Sequence, residues 1–258
     1  MPANDQPPLW LRPEHGTRGP KPAHTRRDVA LAAVRIADAD GLDAVSMRRV
    51  AAELGAGTTS LYRYVSKKDE VLELMGDEVL GELRDTTLPA GWRDGLRAIA
   101  RLLRDVCLRH PWFASVLAGR AIHGPHSLRW RERTLSVFDG MDLGTDDMLA
   151  ALGTVSAFVL GHVLGELADR EAARRSGLSH EQWMEREGEY GPMIMNSGEY
   201  PRFTRVMIEA ELPHATDRQN RGFEAGLDRV LAGIATHLPR RGRPDAPRPR
   251  SSPLQRLD

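Results

Sequence analysis

The chain has 258 residues, 41% hydrophobic and 28% charged, which are globular values that exclude wholesale disorder. Basic and acidic residues number 36 each, so the overall balance points to no polyanionic partner. A single cysteine excludes a disulfide framework and a cysteine-based zinc site, and suits a reducing cytoplasm.

Residues 1–24 hold six of the 17 prolines and read as a flexible N-terminal arm, with no charged-then-apolar leader. A helix is expected from Arg26 to Asp40, with Val29, Ala33, Ile36 and Ala37 as its apolar stripe and Gly41 as its stop. Ser46 is placed to cap a short amphipathic helix carrying Met47, Val50, Ala51 and Leu54. Gly55 ends it, Gly57 lies in the turn, and Thr58 is expected to cap a very short helix running to Val65. Ser66 and Asp69 read as a capping box opening a longer helix with Val71, Leu72, Met75 and Val79 on its buried face. Further helices are expected around Leu96–Val106, from Trp112 to about residue 120, and from Pro125 to Phe138. Residues 146–171 form a longer helix, apolar nearly all round. The Gly/Pro-punctuated stretch 186–202 reads as a mobile connection, followed by a helical segment near 203–211. The last helix, 217–238, sets Phe223, Leu227, Val230, Leu231, Ile234 and Leu238 on one face, and 239–258 reads as a disordered Pro/Arg-rich tail.

The fold class expected is therefore all-α. A three-helix head over 25–70 joins a larger helical domain over 71–238. Charge divides the same way. Residues 21–68 carry nine Lys/Arg against five Asp/Glu, and 239–258 carry six Arg against two Asp, so the stretch 69–238 is acidic. A basic head on an acidic body is the asymmetry expected when one part meets a polyanion.

Residues 46–68 read as helix, glycine-containing turn and very short second helix, a helix-turn-helix. A helix that enters a DNA groove must be slim, exposed and tipped with hydrogen-bonding side chains. Thr58, Thr59, Ser60, Tyr62, Arg63 and Tyr64 supply those groups, leaving Leu61 and Val65 to anchor the helix inward. Tyr62 also reads as half core, Arg49 as solvated, and Arg26 and Arg27 either as a minor-groove arm or as solvated.

Three runs carry a family resemblance: Gly41 to Ala51 (GLDAVSMRRVA), Gly55 to Val65 (GAGTTSLYRYV) and Ser66 to Leu72 (SKKDEVL). Together they resemble the DNA-binding domain of the TetR family of bacterial repressors. The resemblance continues more loosely through His110-Pro111-Trp112, Phe158 to His162 and Phe223 to Asp228 into the ligand-binding domain of the tetracycline-repressor branch. It implies a sequence-specific, ligand-released transcriptional regulator, most simply a repressor, and no enzyme. Its partners would be a double-stranded palindromic operator, a second copy of itself and a small-molecule inducer, with no cofactor and no membrane. By the resemblance, Arg48 reaches the major groove. Thr58, Thr59, Ser60, Tyr62, Arg63 and Tyr64 contact bases and phosphates, and Lys67 and Lys68 sit at the phosphate-binding helix start. The chemistry agrees, since Arg suits guanine and Lys at a helix start neutralises phosphate.

One such module reads few bases, whereas two read half-sites roughly 34–36 Å apart or a multiple of it. Gly153, Ala157, Gly161 and Gly165 recur every four residues and permit close helix approach. With Phe223, Leu227, Leu231 and Ile234 they form the expected dimer interface, of the four-helix kind that the resemblance implies. Residues 148–168 are long enough to span a membrane, but His162 and Glu166 interrupt them.

The effector pocket is expected among Leu103, Trp112, Phe113, Leu117, Arg120, Trp130, Phe158 and His162. The tetracycline repressor itself binds a metal-chelated drug through a His and a Glu on its central helix. Those positions are Ala157 and Gly165 here, so a magnesium–tetracycline effector is not expected. His123 and His126 flank a Gly-Pro pair, read as a loop, and no metal site is expected. Nucleotide-binding, phosphate-loop, serine-hydrolase and zinc-protease signatures are missing from the sequence. The rival reading is a helical scaffold or protein-binding module that does not recognise DNA.

Overall fold

The computed structural model describes residues 7–13, 23–119, 122–186, 188, 190–211, 215 and 217–238. Twelve α-helices and no strand occur among the described residues, and the expected tail 239–258 lies outside them. The head contains α1 (Arg26–Asp40), α2 (Met47–Glu53) and α3 (Thr58–Leu61). Thr25 opens α1 with a reciprocal cap: its hydroxyl accepts from the Asp28 amide at 3.1 Å, and the Asp28 carboxylate accepts from the Thr25 amide at 2.8 Å. The Thr25 hydroxyl, donating to the Asp28 carboxylate at 2.8 Å, and the Thr25 amide together hold that carboxyl below the usual carboxylate range. Gly41 ends the helix at φ 82°, a conformation in which a side chain would be strained.

Helix α4 (Lys68–Gly81) belongs to both halves of the molecule. It packs on α1, with Glu78 paired to Arg27, and its later turns also meet α6 (Phe113–Ala118) and α7 (Pro125–Leu135). Val71, Met75 and Val79 are buried as expected, while Leu72 is only half-buried. The Ser66–Asp69 box does not form. Lys67 takes the capping position, the Ser66 amide donates to Glu70 at 2.7 Å, and the Ser66 hydroxyl accepts from Arg12.

In the body, α8 (Thr145–Ser176, 32 residues) is packed on one side by α5 (Trp92–Arg109) and α12 (Arg218–His237). Between α8 and α12 lie three short helices, α9 (His180–Arg186), α10 (Tyr190–Asn196) and α11 (Pro201–Glu209); α10 falls within the stretch 186–202 expected to be a mobile connection, and α11 overlaps the helical segment expected near 203–211. His126 lies in the first turn of α7 rather than in a loop, since Pro125 at the first helical position suits a helix start. Cys107 is fully buried in α5, which pushes its thiol up to about 12.

The expectation of a flexible arm fails over Pro7–Pro13. Leu9 is buried, and the Trp10 indole donates to Glu73. Proline density signalled irregular backbone here, but Leu9 and Trp10 bring enough apolar surface to dock it, while Leu11 stays exposed.

Candidate nucleic-acid interface and effector cavity

The turn between α2 and α3 depends on Gly55, whose φ of 64° a side chain would strain. Helix α3 spans only four residues, with Gly57 in the capping position and Thr58 already helical, so Thr58 is not the cap that the sequence suggested. Leu61 and Val65 are buried and root the segment. Outward from that root, Thr59, Ser60, Arg63, Lys67 and Lys68 are exposed, Tyr62 is 54% exposed, and Thr58 is half-buried. Arg48 is exposed on the neighbouring α2. Tyr64 does not join them. It retains 8% of its surface and, like Leu61 three residues back, belongs to the buried core, so it leaves the set of base contacts. Tyr62, by contrast, points away from the core.

Electrostatics sharpens the set. Arg27, Arg35 and Arg49 are paired with Glu78, Glu53 and Asp40. Arg48, Arg63 and Lys68 make no ion pair among the described residues, which leaves their charge for an external anion. Arg26 is held inside the head, donating to the Tyr64 carbonyl at 3.3 Å and the Arg12 carbonyl at 2.9 Å, which rules out the minor-groove role weighed for it.

A cavity of about 310 Å³ lies in the body between α4, α5, α7 and α8. Leu103, Leu117 and Trp130 line it as expected. Ile99, Leu152 and Leu160 add apolar wall, and Ser127, Arg131, Thr134 and Ser156 add polar groups. Helical spacing marks buried Ile99 and half-buried Leu152 and Leu160 as inward-facing but does not distinguish a cavity wall from packed core.

Trp112 and Phe113 are not pocket residues. Phe113 has no exposed surface, and the Trp112 indole donates to Asp38 at 2.7 Å. Phe158 lies tilted against Phe223 at a centroid distance of 5.5 Å and His162 meets it edge-on at 5.2 Å, on the α12 side of α8, away from the cavity. Arg120 lies outside the described residues.

The expected dimer residues divide. Gly153, Ala157, Gly161 and Gly165 are exposed along α8, flanked by Leu149 and Leu164 at 55% and 50% exposure. A Cβ built on any of the three glycines meets nothing within 4 Å. Phe223, Leu227, Leu231 and Ile234 are instead buried inside the subunit, the first three completely. Their stripe satisfies α8 and α5 of their own chain, so they are core rather than interface. Helix α8 passes the length and composition test for a membrane span, with 22% of its apolar window buried. Its Glu166 is nonetheless buried and bonded to Arg104 at 2.8 Å, a charged pair placed for contact with α5.

Residues 31–75 match the family model described as bacterial regulatory proteins, tetR family, and residues 87–238 match that of the tetracyclin repressor-like C-terminal domain. The chain belongs to the tetR family. Among its relatives, the HTH-type transcriptional repressor DrrR1 of Streptomyces coeruleorubidus is 38% identical over 244 residues, covering 93% of this chain and 87% of the relative. An HTH-type transcriptional regulator of Saccharopolyspora erythraea is 40% identical over 195 residues, 73% of this chain and 80% of the relative. The crystal structure of the TetR family protein ActR of Streptomyces coelicolor in complex with actinorhodin aligns at a TM-score of 0.67 and 28% identity, over 84% of this chain and 97% of ActR. This tetR-family chain is a DNA-binding transcriptional regulator with an all-helical, two-part fold, and nothing supports the scaffold reading.

Proposed function

We propose that the chain is a homodimeric repressor that reads a palindromic operator through α3 and leaves it when a small molecule fills the body cavity. One observation carries the reading: a four-residue helix rooted by Leu61 presents Thr59, Ser60, Tyr62 and Arg63 to solvent beside Arg48 and Lys68, which make no ion pair among the described residues. So short and polar a helix is a poor core element, and its outward groups suit the major groove. Arg48, Thr58, Thr59, Ser60, Tyr62 and Arg63 are assigned to the groove, and Lys67 and Lys68 to phosphate. The glycine-alanine face of α8 pairs with the same face of a second copy, as an isologous interface requires.

The effector is a small, largely apolar molecule with a few polar groups, matching Leu103, Leu117 and Trp130 beside Ser127, Arg131 and Thr134. ActR, solved with actinorhodin, supports a ligand in this class of fold. The absence of His and Glu at Ala157 and Gly165 bears less on the effector than the resemblance implied, because both positions face outward rather than into the cavity. Binding of the chain to its own upstream DNA tests the reading. Arg63→Ala and Tyr62→Ala are each expected to cost about tenfold or more in operator affinity at unchanged dimer mass. A wild-type chain that shifts no DNA at low salt overturns it in favour of a scaffold.

A further inference from the structure

The N-terminal segment Pro7–Pro13 lies outside the residues that match the family's DNA-binding model, yet it is tied to the part of the head that carries the proposed DNA contacts. Arg12 is the knot. Its Nη1 donates to the Ser66 hydroxyl at 2.6 Å, and its Nη2 pairs with Glu70, both side chains being nearly covered at 16% and 12% exposure. Its carbonyl accepts from Arg26, which also donates to the Tyr64 carbonyl. Glu70 accepts the Ser66 amide. Ser66, which precedes the proposed phosphate lysines, and Glu70, two residues beyond them, are thereby held to one guanidinium, and the Tyr64 carbonyl, one residue past Arg63, is tied to the same strap through Arg26. About one turn beyond Glu70 on α4, Trp10 donates to Glu73, and buried Leu9 anchors the strap.

We infer that Arg12 is a positioning residue for operator recognition: through Ser66 and Glu70 it sets the angle between α3 and the start of α4, and with it the placement of Arg63 relative to Lys67 and Lys68. Several features favour a positioning role over general stability. The bonds converge on one turn, a planar guanidinium fixes direction as well as distance, and the turn they fix joins base-reading groups to phosphate-binding groups. Loosening that turn leaves each DNA-facing side chain intact but spoils their joint register.

The inference rests on the DNA-binding reading above, and the experiment separates the two. The full-length wild-type chain is used to select a palindromic duplex from a random pool. Failure to select any duplex sinks the DNA-binding reading and this inference together. With the selected duplex and an unrelated one, fluorescence anisotropy is read for wild type, Arg12→Ala, Arg12→Lys and Glu70→Gln, alongside thermal melts. Arg12→Ala is expected to lose about tenfold in affinity for the selected duplex, the scale of charge-assisted hydrogen bonds, and less than about twofold for the unrelated one, where contacts are to phosphate alone. Arg12→Lys, which keeps the charge but not the fork, restores only part of the loss. Glu70→Gln, which keeps an acceptor for the Ser66 amide, follows Arg12→Ala in direction and covers the case in which that variant fails to fold. Equal losses on both duplexes, or selected-duplex affinity within about twofold of wild type for both variants, overturn the positioning role.

Discussion

His110 lies between two carboxylates, with its Nδ1 2.8 Å from Asp38 Oδ1 and its Nε2 2.9 Å from Glu82 Oε1. Asp38 belongs to α1 of the head, Glu82 ends α4, and His110 closes α5 of the body, so one side chain joins three elements. Trp112 donates to the same Asp38 oxygen, and Arg109 pairs with Glu82. His110→Ala removes the bridge and leaves Asp38 and Glu82 facing each other. Hydrogen exchange should show faster exchange across α1 with α8 and α12 unchanged, corresponding to roughly 0.5–2 kcal/mol of lost coupling. Equal loosening of every helix would make His110 an ordinary core residue.

Lys68 opens α4 with its charge unpaired among the described residues. Lys68→Ala should weaken operator and unrelated duplex alike and lower the salt dependence of binding by roughly one counterion. A changed preference between sequences would assign Lys68 to base reading instead.

Gly161 faces solvent, and a Cβ there meets nothing within its own chain. Gly161→Leu should therefore leave the subunit folded while pushing apart two copies packed on this face. Sedimentation should show the dimer giving way to monomer at unchanged helix content. A variant sedimenting as wild type would place the seam elsewhere.

Asp77, buried in α4, accepts the Ser127 amide at 2.8 Å and so caps α7. Gly124 is required beside it, since a Cβ would fall 2.2 Å from the carboxyl carbon. Burial raises the Asp77 carboxyl above its ordinary value, outweighing the amide bonds that lower it. The folded state then holds this proton more tightly than the unfolded chain does. The cost of the buried charge is absent below the unfolded value, grows as pH rises, and is complete above the folded one. In denaturant melts from pH 3 upward, wild type should lose stability relative to Asp77→Asn as pH rises through that window. A pH-independent difference would show that the carboxyl is not perturbed.

The helices were legible because their signals are local. Ser46 does cap α2, accepting the Arg49 amide at 3.2 Å, and the stripe from Phe223 to Ile234 is buried as its spacing predicts. Spacing states that a stripe is covered, not by whom, which is why those four residues read as a dimer seam and proved to be core. Tyr64 misled for a related reason: its hydroxyl marked it as polar, while its position three residues after Leu61 placed it on the inner face. The links that tie the parts together left no trace. His110 stands 72 residues from Asp38, and Arg12 stands 54 from Ser66, so neither pairing has a sequence period to reveal it.

Helix α4 is a stiff rod of 14 residues, about 20 Å long, gripped at one end by the cavity-bearing body and ending at the other in Lys68. A tilt of about 5° imposed at the body end swings Lys68 by about 2 Å. That is more than a hydrogen bond tolerates before it is lost. The geometry makes the rod a mechanical amplifier, so on the proposed reading a small shift of the cavity walls would be enough to take the head out of step with the duplex.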